Sequence, residues 1–356
     1  MTNDHSAPDS PDDLTTAGGL LSAYQPIPET EAAAILAARY GVNGRLQRMA
    51  TEKDDTFRVI ADTGQRWVLK IANGGEDPAS IDLQNACLAR IAATDPSLPV
   101  PRVLADCQGR NLCPLPPGPD GSIRLARVLS YIDGTPLDAT VSTAAERGQI
   151  GRVLARLRLA MAGFSHPAEN RLLAWDIQHL MRLTPFLQTI PDPEQKRMLR
   201  DGLDRFSRIE SALPGLRRQV LHNDFSKSNI IVDHADPAFV CGIIDFGDTV
   251  RTAIAIDVAT AMMNQLPATA DAQMFDAPAD LLAGYLVLAD LTRDEIALLP
   301  HLIMARVITR ALITIRRAQL FPDNAPYIIR NTGQTWHQLQ WFLDRAFDKV
   351  SATLTG

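Results

Sequence analysis

Cysteine, histidine and aromatic residues are all scarce in this 356-residue chain, which has four cysteines, seven histidines and 6% aromatics. Cys87, Cys107, Cys113 and Cys241 lack any paired metal spacing. Neither a thiolate zinc site nor a disulfide framework is expected, and the thiols read as reduced. His166, His179, His234, His301 and His337 stand isolated, which removes a histidine metal cluster. No run approaches the roughly 18 consecutive apolar residues of a spanning helix. A basic excess is also absent: the net charge is −6, which argues against nucleic acid or an anionic membrane as partner. The opening "MTNDHSAPDSPDDLTTAGG" has no basic segment ahead of an apolar one. No signal or transit peptide is read there, only a disordered acidic tail over residues 1–24, and a cytoplasmic location is expected. Three familiar motifs are missing as well. There is no Gly-x-Gly-x-x-Gly, "SKSN" is not a Walker loop, and "AGFSHP" lacks the glycine of a nucleophile elbow.

What is present suffices for a sizeable core, with 46% hydrophobic residues. The length exceeds the roughly 100–200 residues of one domain, so two lobes are expected. "PETEAAAILAARYG" has helical periodicity, with Pro28 at its start and Gly41 past its end. "GRLQRMAT" and "TFRVIADTGQRWVLKIAN" read as strands, the second a hairpin turning at Asp62-Thr63-Gly64. "SIDLQNACLARIAA" returns to helical spacing, with Ile81, Ala86, Leu88 and Ile91 as expected core positions. "VLADCQ" and "SIRLARVLSYI" add further strands around a Pro/Gly-rich loop. Past Gly134 and Pro136 the chain is mostly helical. Its exception is Val220 to Thr249, read as strand, loop, short strand, turn and strand. The reading is a small antiparallel lobe over 25–132 and a larger, mainly helical lobe over 133–356.

In "VLHNDFSKSNIIVDHADPAFVCGIIDFGDT", polar residues sit against strands that look fully buried. Asn229 follows Asp224 by five residues, and Asp245 follows Asn229 by sixteen, opening Asp-Phe-Gly. Phosphoryl transfer needs a carboxylate near the acceptor hydroxyl, oxygen ligands for magnesium and a cation on the nucleotide phosphates. This loop and hairpin supply the first two in type, order and spacing. Lys70, on the second strand of the early hairpin, stands where the cation belongs.

These residues, with "DLQNACLARIA", "LPVPRVL", "FSHPAENRLLAWD", "GIIDFGDTVRTAIAIDVATAMM" and "FPDNAPYIIRNTGQTW", resemble the aminoglycoside phosphotransferase and choline kinase superfamily, most closely its hydroxylysine kinase-like branch. The resemblance implies an α+β, bilobal, protein-kinase-like fold. It implies a kinase that uses Mg2+ and ATP or GTP to phosphorylate a small amino-bearing alcohol, first 5-hydroxylysine. It further implies Asp224 as general base, Asn229 and Asp245 as magnesium ligands, and Lys70 on the α- and β-phosphates. His222 and Asp257 would organise the loop. Val128 to Tyr131, including Leu129 and Tyr131, would offer backbone groups to the purine edge. Thr51 to Thr56 would replace a glycine-rich phosphate loop.

The chain departs from the kinase pattern at two points. Gln84, with Asp82 nearby, aligns where a helix glutamate would pair with Lys70. Asn223 stands where most of the superfamily has glycine, in a backbone conformation that asparagine tolerates. For the acceptor, Asp248, Asp176, Arg306 and Arg310 are candidate contacts, the two arginines sharing a helix face. Each also reads as an ordinary cap or interlobe charge. An antibiotic phosphotransferase, a homoserine, ethanolamine or choline kinase and a non-catalytic nucleotide-binding pseudokinase are the alternatives. The expected assembly is a monomer or homodimer.

Overall fold

The computed structural model describes residues 26–49, 51, 54–117, 121, 123–269, 272–322, 325–328 and 333–355. The expected tail, and residues 52–53 of the expected phosphate loop, lie outside the described residues.

Helix α1 (Glu29–Tyr40) ends at Gly41, whose φ of 65° lets its N–H return to the Ala37 carbonyl. Glycine takes this left-handed conformation without a Cβ clash. Strands β1 (Gly44–Arg48), β2 (Asp55–Ala61) and β3 (Arg66–Ile71) follow as an antiparallel meander. Helix α2 (Pro78–Thr94) starts where the Asp77 carboxylate accepts from the Ala79 N–H at 3.0 Å, with Pro78 in its first turn. Strands β4 (Val103–Leu104), β5 (Cys113–Pro114) and β6 (Leu125–Ser130) complete a sheet of order β1-β2-β3-β6-β4, with β5 also on β6.

The two sheet faces divide the labour by strand alternation. Phe57, Val59, Leu69, Ile71, Ala126 and Val128 pack on Leu36 and Tyr40 of α1. Their neighbours Lys70 and Arg127 are cross-strand partners on the other face, towards α2. Within α2, Ile81, Leu88 and Ile91 are buried, but Ala86 is only partly so. Leu83 and Cys87 fill the core instead, because the buried stripe runs slightly round the helix from the expected one.

After β6 the chain enters the second lobe at β7 (Thr135–Pro136), which pairs with β9. Helix α3 (Ala144–Ala160), a 3-10 segment (Ile177–Thr189) and α4 (Pro193–Glu210) lead to β8 (Arg218–Leu221), β9 (Ile230–Val232), β10 (Val240–Ile243) and β11 (Val250–Ala253). With β7, these four strands form two small sheets, β10-β9-β7 and β11-β8. Helices α5 (Ile254–Met263), α6 (Asp276–Leu286), α7 (Arg293–Leu320) and α8 (Gly333–Leu343) follow, and a short helix over Phe347–Ser351 lies near the end of the lobe. Helices α3 and α6 cross at van der Waals contact of their backbones: a Cβ on Gly151 would lie 1.9 Å from the Leu281 carbonyl oxygen. Helix α7 is long and apolar enough to cross a membrane, yet 78% of that apolar window is buried inside the protein. It runs through the core and carries Arg306 and Arg310 to the site.

Candidate active site

The loop after β8 is fixed by groups on two other segments, α5 and the turn after β10. Asn223 has φ 61°, and its N–H donates to Asp257 Oδ1 of α5 at 2.7 Å. His222 Nε2 lies 3.1 Å from the Ile244 carbonyl, so that nitrogen carries the proton. Its Nδ1 is thereby left to accept from the Asp224 N–H at 3.3 Å. Burial pushes the imidazole down to about 4, keeping it neutral. His222 therefore ties the Asp224 loop to the residue before Asp245. Asp257 is fully enclosed, and burial pushes its carboxyl up to about 6.

The same loop places Asn229 beside Asp224. Asn229 Nδ2 donates to Asp224 Oδ2 at 2.8 Å and to the Asp224 carbonyl at 3.0 Å. With Nδ2 so engaged, the Asn229 side-chain oxygen is the atom free to turn towards a cation. Burial and then Asp248 push the Asp224 carboxyl up to about 7, against the opposing pull of Arg306. Arg306 Nη2 is 3.5 Å from Asp224 Oδ1.

Asp245 follows β10 with φ 61°, and its Oδ1 accepts from the Gly247 N–H at 3.1 Å. Lys70 Nζ stands 3.9 Å from the same oxygen. The ammonium holds the Asp245 carboxyl below the usual carboxylate range. Half of the Asp245 side chain is exposed, but it opens into the cleft between lobes, where solvent screens less than on a convex surface. Arg171, which sequence reasoning did not single out, donates to the Gly247 carbonyl and holds this turn from behind.

Several expected roles differ from the observed contacts. Gln84 does not meet Lys70: its Oε1 accepts from Arg127 Nη2, and Asp82 pairs with His166 Nε2 at 3.2 Å. Arg127, a charge inside the apolar run "LARVLS", is the cross-strand partner of the lysine and takes the Gln84 bond itself. The N–H groups of Ser130 and Tyr131 are spent on the Arg102 and Arg66 carbonyls, because the sheet continues into the connector. They are not available as donors to a base. Leu129 is buried and pairs with Val68 and Val103. Thr56 lies across from Lys70, with a buried Oγ1 that has no hydrogen-bond partner.

Asp176 is completely buried and caps the 3-10 segment, accepting from Thr252 Oγ1 at 3.0 Å and from the Gln178 N–H at 3.2 Å. No acceptor molecule can reach it, so it is a structural carboxylate. Its neighbour Trp175 instead holds Arg306, through its carbonyl and through a ring lying 4.9 Å from the guanidinium. Arg310, one turn along α7, bonds Gln338 Oε1 at 2.6 Å and Met263 Sδ at 3.5 Å. Asp248 lies near enough to Asp224 to raise its pKa.

The donor set suits a hard cation. Among the described residues, no group of three or more His, Cys, Asp or Glu is gathered for a metal. Magnesium, however, needs only one or two protein oxygens when phosphates and water complete its shell. Asn229 and Asp245 provide such oxygens, one on each side of the β9–β10 hairpin.

The family model described as APH, phosphotransferase enzyme family, matches residues 48–298. Hydroxylysine kinase of Mus musculus is 24% identical over 345 residues, covering 91% of each chain. Among solved structures, a microcompartment-associated aminopropanol kinase superposes with a TM-score of 0.70 at 22% identity, covering 88% of this chain and 97% of that one. An amicoumacin kinase, solved with AMP-PNP, Ca2+ and Ami, gives 0.66 at 15% identity, covering 87% and 93%. The lobes have the kinase-like arrangement, and the chain is a phosphotransferase with a hydroxyl acceptor. The chain belongs to the APH phosphotransferase enzyme family.

Proposed function

We propose that this kinase transfers the γ-phosphoryl group of ATP or GTP to the 5-hydroxyl of 5-hydroxylysine, in the cytoplasm. In this reading Asp224 accepts or orients the proton of the attacking hydroxyl. A carboxyl at about 7 is well matched to that task near neutral pH. Lys70 neutralises the α- and β-phosphates, while Asn229 and Asp245 hold Mg2+, which offsets phosphate charge when bound. Catalysis is then mostly positioning and electrostatics.

The observation that carries the acceptor is the state of Arg310. Its guanidinium is bonded to an amide oxygen and a thioether, and makes no ion pair among the described residues. Burial and the neighbouring Arg306 push it down to about 10. A partly buried cation without an anion carries a desolvation cost, so it favours a ligand that brings one. Arg306 already faces Asp224, and Arg310 lies one turn away, about 6 Å along the helix. That spacing is of the order of the distance between the hydroxyl and the carboxylate of an extended hydroxylysine. Asp248, on the Asp224 side, supplies a counter-charge for the amine next to that hydroxyl. Relatives named hydroxylysine kinase point the same way.

The aminopropanol kinase neighbour supports a second reading, an amino alcohol without a carboxylate. Product assays with hydroxylysine, 1-amino-2-propanol, homoserine, ethanolamine, choline and kanamycin separate the two, run with ATP and GTP. Hydroxylysine is expected to have the highest kcat/KM. Arg310→Gln should raise its KM roughly tenfold or more, as loss of a charged hydrogen bond does, and leave the KM for aminopropanol nearly unchanged. Equal or better turnover of aminopropanol by the unaltered protein rejects the hydroxylysine reading.

A further inference from the structure

The usual kinase device for orienting the phosphate lysine is a carboxylate on the helix facing the sheet. Here that helix presents two neutral amides, and their partner is a different cation. Arg127 Nη1 donates to Asn85 Oδ1 at 3.0 Å, and Nη2 donates to Gln84 Oε1. Asn85 is itself held, its Nδ2 donating to the Asn111 carbonyl at 2.9 Å. Arg127 is 6% exposed and, among the described residues, makes no ion pair with a carboxylate, although Asp54, Asp245 and Glu76 act on it through space. Lys70 lies directly opposite on the neighbouring strand, with its side chain on the same face. Among the described residues, the one ion pair of Lys70 crosses the cleft to Asp245.

We infer that Arg127 is a positioning residue for nucleotide binding: a second buried cation, held neutral-handed by Gln84 and Asn85, that drives the Lys70 ammonium away from α2 and into the cleft. Two like charges side by side on one sheet face repel, and the repulsion is strong where water is excluded. Lys70 can relieve it only by moving towards Asp245 and the triphosphate. A carboxylate on α2 would reverse this, since it would neutralise Arg127 or draw Lys70 back. The neutrality of Gln84 is therefore part of the device, and the buried charge adds to the positive potential that a triphosphate meets.

The test measures binding alone, by titration calorimetry with AMP-PNP and with adenosine, each with magnesium present. It is independent of the acceptor, so a wrong assignment of hydroxylysine leaves it untouched. Gln84→Glu is expected to weaken AMP-PNP roughly tenfold, the scale of one partly screened charge in a cleft, while adenosine binding stays within twofold. Arg127→Met should show the same selective loss, and Arg127→Lys should recover most of the AMP-PNP affinity because it restores the charge. Thermal melts of each variant check folding, and Gln84→Glu carries the test if Arg127→Met does not fold. Unchanged or tighter AMP-PNP binding by Gln84→Glu overturns the inference. So does a parallel loss of adenosine and AMP-PNP, which would mark these residues as structural supports only.

Discussion

Lys70 of the first lobe and Asp245 of the second meet across the cleft, ammonium to carboxylate, at 3.9 Å. At that separation they attract without the directed hydrogen bond of a closed pair, so a phosphate or a cation can enter between them. Lys70→Met should therefore lower kcat/KM by about two orders of magnitude or more, as removal of one preorganised charge-stabilising group does. Steady-state kinetics beside a thermal melt checks it. A large fall in melting temperature would show the contact to be structural.

Asp224→Ala removes both the candidate base and the acceptor of Asn229 Nδ2. Phosphoryl transfer should fall by roughly 10²–10⁴-fold, the usual contribution of a positioned acid or base. Circular dichroism should be unaltered. Near-normal turnover would remove Asp224 from the mechanism.

Arg306 opposes the upward push that burial and Asp248 exert on Asp224. A nearby cation favours the ionised carboxylate, so its removal raises the Asp224 pKa above about 7. The ionised fraction at neutral pH then drops. In Arg306→Gln, the acid limb of the kcat/KM profile should move to higher pH, with activity partly recovered in alkaline buffer. An unmoved limb would contradict the coupling.

Asn223 combines φ 61° with a buried side-chain amide whose Nδ2 and Oδ1 have no hydrogen-bond partner. Glycine removes both penalties, so Asn223→Gly should be neutral or stabilising in a denaturant titration. Asn223→Val keeps a Cβ and adds branching in a left-handed conformation, and should cost about 1–2 kcal/mol or more. The backbone N–H that bonds Asp257 is kept in both variants, which isolates the conformational effect.

His301 stacks on Phe347 at 4.1 Å and bonds Ser351 Oγ at 2.8 Å, and burial pushes its pKa from 6.5 down to about 4. The unfolded chain thus takes up this proton before the folded one does. Stability from a neutral His301 is fully present above pH 6.5 and is lost as pH falls through about 4. Unfolding free energies at pH 7.5 and at pH 4.5 should show the gap between the protein and His301→Phe changing in favour of the variant at acid pH. The change should be on the order of 2 kcal/mol, from about 1.4 kcal/mol per pKa unit. A gap that does not vary with pH would show that this histidine titrates normally.

Much of the architecture was legible because it is local. Pro28 and Gly41 bracket α1, Gly64 turns the β2–β3 hairpin with φ 84°, and the alternating apolar runs become paired strands. Loop spacing alone likewise brings Asp224 and Asn229 into contact, since both belong to one short turn between strands. The remainder depended on partners distant in sequence. Gln84 aligned with the position of a lysine partner, but Arg127, 43 residues away, takes that bond. Asp176 looked available to a substrate until the fold enclosed it beside Thr252.

By itself, the sequence determined which atoms can do chemistry and in what order they occur, because residue type and short-range spacing are covalent properties. Only the tertiary structure decided which charge faces which, because burial and long-range pairing set the local dielectric. There Lys70 faces Asp245, Arg306 faces Asp224, and Arg127 takes the helix amide that aligned with the lysine.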